Sequence, residues 1–210
     1  MSYRYFALGN SLTLHGCCEY WWNNIGMAAT VPEKDYVSLV SAYLKQTCGE
    51  TQTERYNFAD WERAEDRDPM LGVLEPFLAK TPDLITVQLG ENVPGGLQAS
   101  MEKDYCSLLR FLRTRAPQAK VIVIGDFWDE TRDRIRSTAA KNTGCSFVDL
   151  TPFRGDPKYL CGTGTTVYDA DGGAHTVEHP GVAAHPGDVG MAAIADAVIQ
   201  AFCGDAAVNG

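Results

Sequence analysis

What most constrains this chain is an alternation of two periods. Short apolar runs that suit buried strands are separated by longer segments with apolar residues at helical spacing. Five runs fit strands: residues 3–8, a weaker one at 54–59, then 84–89, 120–124 and 146–150. Between them, residues 34–45 place Tyr36, Val37, Leu39, Val40, Tyr43 and Leu44 on one helix face. Residues 97–115 do the same with Met101, Tyr105, Leu108, Leu109 and Leu112. Leu71, Leu74 and Leu78 outline a short helix with Pro76 as a flaw in its middle. Residues 130–141 read as a polar helix and 188–202 as an apolar closing helix. Strands that alternate with helices predict a parallel sheet covered on both faces, with right-handed crossovers. The expected fold is thus of the α/β class, a five-stranded parallel sheet between layers of helices.

In such sheets ligands lie beyond the carboxyl ends of the strands. The loops that matter are therefore 9–16, 59–69, 90–96, 125–129 and 151–185. The last is rich in Gly, Thr and Asp, shows no period, and reads as a long active-site loop. The 210 residues read as a single domain over 1–210. The net charge of −9, from 18 basic and 27 acidic residues, argues against nucleic-acid and anionic-membrane partners. No apolar run is long enough to cross a bilayer.

Seven cysteines without a C-x-x-C pair argue against a zinc site or a redox dithiol. Together with the absence of a signal-peptide pattern they point to a cytoplasmic setting. There is no P-loop, no H-E-x-x-H and no G-x-S-x-G. Gly162-Thr-Gly164 only begins like a dinucleotide fingerprint. No cofactor and no metal is expected; His175 and His179 have a metal-like spacing, but Pro180 and Gly181 follow at once. His15, one turn after Ser11, reads either as part of the pocket lining or as a surface histidine.

Three strand-end loops carry groups suited to chemistry. In Gly9-Asn10-Ser11-Leu12, Gly9 permits a tight turn that lifts Ser11 above the sheet edge. Ser11 is then either a nucleophile or the cap of a helix opening behind it. In Gly90-Glu91-Asn92, Asn92 either offers an amide N–H to a developing oxyanion or closes an Asx-turn. His185, in His185-Pro-Gly-Asp-Val-Gly190-Met191, is either a general base or a loop histidine without a role. A serine, an asparagine and a histidine facing one crevice are what acyl transfer needs.

With these residues in view, the chain resembles the SGNH (GDSL-type) hydrolases over nearly its whole length. Gly9-Asn10-Ser11-Leu12 matches the family's first block, with Asn10 for the usual Asp. Gly90-Glu91-Asn92 matches the third, G-x-N-D, with Val93 for the Asp. His185-Pro-x-x-x-Gly190-Met191 matches the fifth. The resemblance implies a flavodoxin-like three-layer α/β/α sandwich, with Ser11 as nucleophile, His185 as general base, and Asn92 with the Ser11 N–H as oxyanion donors. Two further departures stand out. The second-block stretch, Asn57-Phe58-Ala59-Asp60-Trp61-Glu62, lacks the family's glycine. Val182 occupies the usual triad-acid position, three residues before the histidine. That leaves Glu178, Glu91 or a backbone carbonyl to orient the imidazole.

The resemblance also implies hydrolysis of short-chain esters, carbohydrate O-acetyl esters among them, with lysophospholipids and thioesters open. All four tryptophans fall in or near the crevice-side loops, where they can stack on substrate or plug the core. An O-acyltransferase and a non-catalytic carbohydrate-binding domain are the competing expectations.

Overall fold

The computed structural model describes residues 2–204. Its main sheet has five parallel strands in the order β2-β1-β3-β4-β5: β1 Tyr3–Gly9, β2 Thr51–Asn57, β3 Leu84–Gln88, β4 Lys120–Ile124 and β5 Ser146–Val148. Between and after them run α1 Tyr36–Cys48, α2 Ala59–Arg63, α3 Glu75–Leu78, α4 Met101–Arg115 and α5 Glu130–Thr143. The last segment adds a two-stranded antiparallel hairpin, β6 Thr166–Tyr168 with β7 Ala174–Thr176, then α6 Pro180–Ala183 and α7 Asp188–Gly204. This is the expected three-layer α/β/α architecture.

Two cores follow from the period-2 geometry of the strands. Tyr5, Ala7, Ile122 and Ile124 face α1 and α7, where Val37, Val40, Leu44, Met191, Ile194 and Val198 meet them. Their neighbours Phe6, Leu8, Val121 and Val123 face the other layer, against Leu74, Leu78, Tyr105, Leu108 and Leu112. Every residue of β3 is buried, as a central parallel strand requires. Asp35 caps α1 by accepting from the Ser38 N–H, and Asp129 caps α5 by accepting from the Arg132 N–H.

Register positions the site. Gly9 ends β1 opposite Asn57 of β2 and Gln88 of β3, so three chain segments leave the sheet side by side at one level. Gly9 is required there for space: a Cβ would overlap the Thr13 side chain and lie 2.8 Å from the Gln88 carbonyl.

Four expectations need correction. No helix opens behind Ser11; Thr13 N and Leu14 N both donate to the Asn10 carbonyl at 3.0 Å, making one isolated turn. The 59–69 segment starts with the short helix α2 rather than a loop. Residues 151–185 hold the β6–β7 hairpin and α6, whose strands of three residues are too short to show a period. Pro76 sits in the first turn of α3, where its missing N–H would have had no partner in any case.

Candidate active site

Ser11, Asn92 and His185 line one cleft of about 470 Å³ above the carboxyl ends of β1, β2 and β3. The turn after β1 presents Ser11, whose carbonyl accepts from Met27 N at 2.8 Å. Ser11 Oγ lies 2.9 Å from His185 Nε2. The other ring nitrogen, Nδ1, lies 2.6 Å from the Gly181 carbonyl oxygen. A carbonyl can only accept, so Nδ1 carries the proton and donates it. Nε2 is left with its lone pair toward the Ser11 hydroxyl, the tautomer a general base needs.

The Gly181 carbonyl is free because α6 ends there. Ala183 N and Ala184 N donate back to His179 O and Pro180 O, but His185 N donates to Val182 O, three residues back. This tightening of the last turn skips Gly181, and the imidazole takes the orphaned carbonyl. Of the sequence alternatives, the backbone carbonyl therefore orients His185. Glu178 is exposed, and Glu91 is bound elsewhere. Val182 is buried in the cleft wall.

Burial lowers the His185 pKa below its ordinary 6.5, the Gly181 hydrogen bond opposes this, and the nearby His15 and His179 add to it. The imidazole is thus neutral at neutral pH. The edge of Trp128 contacts its ring, with centroids 5.4 Å apart, and Trp128 Nε1 donates to the Ala184 carbonyl.

Asn92 makes no Asx-turn. Its Nδ2 donates to Glu62 Oε2 at 2.6 Å, and its backbone N donates to Glu62 Oε1 at 3.3 Å. Glu62, fully buried on α2, also accepts from Gly90 N and from Asn10 Nδ2. Asn10 Nδ2 further donates to Glu91 Oε2 at 2.7 Å, and Glu91 accepts from Gln88 Nε2 and pairs with Arg136. Arg136, buried, also holds Asp126 at 3.0 Å. Burial pushes the Glu91 carboxyl up to about 7, against the pull of Arg136. Gly90 has φ 125°, and a Cβ on it would run into Arg136 and Met101.

Glu62 is the residue that sequence reasoning missed. The signal on offer was Asn10 in place of the first block's Asp: its amide donates to Glu62, which lies in the glycine-free stretch 57–62. Among the described residues, the backbone N–H groups of Ser11 and Asp60 meet no acceptor, and both residues line the cleft.

His15 lines the cleft rather than the outer surface. His175 and His179 lie in separate stacks: His179 on Tyr20 at 4.1 Å between centroids, and His175 on Trp22 at 4.4 Å, with His175 Nε2 also 2.8 Å from Asp169. The tryptophans are not a cleft platform. Trp21 and Trp61 are buried, Trp22 covers His175, and Trp128 lies against the His185 imidazole.

No family model and no curated protein matches this sequence. Solved structures do resemble the fold. TesA superposes with a TM-score of 0.61 at 17% identity, covering 95% of this chain and 97% of that one. A psychrotrophic esterase, EstA from Pseudoalteromonas sp., gives 0.58 at 13% identity, covering 96% and 97%. A two-domain esterase active on acetylated mannans, CEX, gives 0.59 at 16%, covering 97% of this chain and 49% of that one, so this chain spans about half its length. The fold is therefore that of the SGNH (GDSL-type) hydrolases, as the block motifs implied.

Proposed function

We propose that this chain is a serine esterase acting by a Ser11–His185 dyad. The observation that carries the proposal is the Ser11–His185 contact, with the tautomer of His185 set by the Gly181 carbonyl. Ser11 Oγ attacks the ester carbonyl carbon while His185 Nε2 takes the hydroxyl proton. The tetrahedral oxyanion is met by the Ser11 N–H and by the Asn92 amide N–H that Glu62 does not use. The Asp60 N–H stands where the glycine-free second block faces the cleft. His185 then returns the proton to the departing alcohol, leaving an acyl-Ser11. Water attacks the acyl carbon as His185 takes its proton, and His185 returns that proton to Ser11 Oγ as the acyl–oxygen bond breaks and the acid leaves.

The substrate class we favour is a carbohydrate O-acetyl ester. Asn57, Asp60, Arg63 and Tyr20 are among the residues that line the cleft, a set suited to hydroxyl-rich alcohols rather than long acyl chains.

The test is hydrolysis of p-nitrophenyl acetate by wild type, Ser11→Ala and His185→Ala, with labelling by a phosphonate serine probe. Wild type is expected to turn over and to label at Ser11, and each substitution to lower kcat by ~10³-fold or more. A wild type no faster than Ser11→Ala, and unlabelled, would overturn the proposal. A screen of glycan binding would then follow, for a domain that holds carbohydrate without cleaving it.

A further inference from the structure

The geometry points to Glu62 as a positioning residue that clamps the Asn92 side chain into the orientation in which it can donate to an oxyanion. This deepens the esterase reading and rests on it. An asparagine amide can present either its oxygen or its NH₂ to a cleft, and the two faces have opposite consequences for catalysis. Glu62 removes the choice. Its carboxylate can only accept, and Oε2 takes one Asn92 N–H at 2.6 Å. The NH₂ must therefore turn toward Glu62, and its second N–H is the one left for a substrate oxygen.

The same carboxylate fixes the backbone beneath the amide. Oε1 accepts from Gly90 N and from Asn92 N at 3.3 Å, so the carboxylate grips both the side chain and the main chain of the loop after β3. Glu62 is itself held in place. It is fully buried, and no cation lies against it among the described residues; its charge is met by four N–H groups instead. Behind it, the buried Arg67 draws in the end of α2, its Nη2 donating to the Glu62 carbonyl at 2.8 Å and its Nε to the Trp61 carbonyl at 3.0 Å.

Asn10 completes the device. Its Nδ2 donates to Glu62 Oε1 at 3.1 Å and to Glu91 Oε2 at 2.7 Å, so a neutral donor stands between two carboxylates. A carboxylate at position 10 would face both without a proton to share. The Asn at 10 and the Glu at 62 are thus one paired arrangement.

The experiment is a double-mutant cycle on ester hydrolysis with Glu62→Gln and Asn92→Ala. The glutamine matches glutamate in size but presents an NH₂ where Asn92 needs an acceptor. In the wild-type background Glu62→Gln is expected to lower kcat by ~10- to 10³-fold, the range for losing an oxyanion donor, with KM changed by less than about threefold. In the Asn92→Ala background it is expected to cost less than about twofold. A Glu62→Gln enzyme within about twofold of wild type would overturn the inference, as would an effect undiminished in the Asn92→Ala background.

A second measurement needs no activity and no Glu62 variant: ¹⁵N-resolved NMR of the Asn92 side-chain amide in the wild-type protein. One proton shifted downfield and protected from exchange is expected; two freely exchanging protons would overturn the clamp. If wild type hydrolyses no ester and Ser11 does not label, the esterase reading fails, and the NMR result still decides the clamp.

Discussion

The acid limb of the pH–rate profile is the sharpest consequence of a carbonyl-oriented histidine. A carboxylate beside an imidazole stabilises the imidazolium and raises its pKa, commonly by about one unit or more. Here Nδ1 meets the neutral carbonyl of Gly181, and burial adds a downward pull. His185 therefore titrates below its ordinary 6.5. The active form is the neutral base, so activity rises with pH through that lowered value and is lost as pH falls below it. At pH 5.5 a base titrating at about 6.5 is still ~9% neutral, and one titrating lower is more so. With a carboxylate partner and a pKa near 7.5 the neutral share is ~1%. The expected ratio of kcat/KM at pH 5.5 to its plateau is thus above about a tenth, against about a hundredth for a full triad. The assay is kcat/KM for p-nitrophenyl acetate from pH 5 to 8.5, which reports the free enzyme. Glu178→Gln serves as the control and is expected to leave both the limb and the plateau in place. An apparent pKa above 7, or a limb that moves by more than about half a unit in Glu178→Gln, would refute the reasoning by placing an anion beside the imidazole.

Two further predictions concern the buried polar chain behind the cleft. Asn10→Asp would set a third carboxylate against Glu62 and Glu91, so its folded-state pKa rises above the unfolded value and stability is lost as pH climbs through that range. Thermal melts at pH 5 and 8 are expected to show the variant's deficit relative to wild type widening at the higher pH; a constant deficit would sink the idea. Arg136→Met would leave Glu91 buried without its cation, while Asp126 keeps Arg132, at a cost of about 3–5 kcal/mol. Urea unfolding checks this, and a loss under about 1 kcal/mol would count against a structural role for the pair.

The layers and the alternation of strands and helices were legible because they depend on short-range patterns. A run such as Lys120–Ile124 can hardly be other than a central strand, and the face of Met101, Tyr105, Leu108 and Leu112 is wide enough to specify a covering helix. The 151–185 segment was opaque for the converse reason. Its strands span three residues each and are held by contacts remote in sequence, such as Tyr168 N to the Thr30 carbonyl and Asn23 Nδ2 to the Tyr168 carbonyl. The supposed helix behind Ser11 was misjudged because a serine after a glycine is compatible with a cap, and only the long excursion to Tyr36 shows that no helix follows. The tryptophans were assigned to the cleft by sequence position, yet position at a strand end does not say which way an indole turns.

Val182 and the glycine-free stretch 57–62 are the departures that favour a non-catalytic domain, and Asn10 stands where the family has Asp. The geometry gives each a partner. Val182 need not supply a carboxylate, because the turn that carries it leaves the Gly181 carbonyl free one position earlier, and that carbonyl selects the same tautomer. A neutral orienter lends the imidazolium less stabilisation than an anion does, so the chemistry is expected to be slower than with a triad but to persist further into acid. Glu62, at the end of the glycine-free stretch, holds Asn92 by an acceptor-only group, and Asn10 is the amide that lets two carboxylates lie within reach of one another. A donor lost from Glu62 would leave a buried acceptor unmet, at about 1–3 kcal/mol. Both oxygens of Glu62 instead meet donors, and the donors are the residues an ester-cleaving site would need held still.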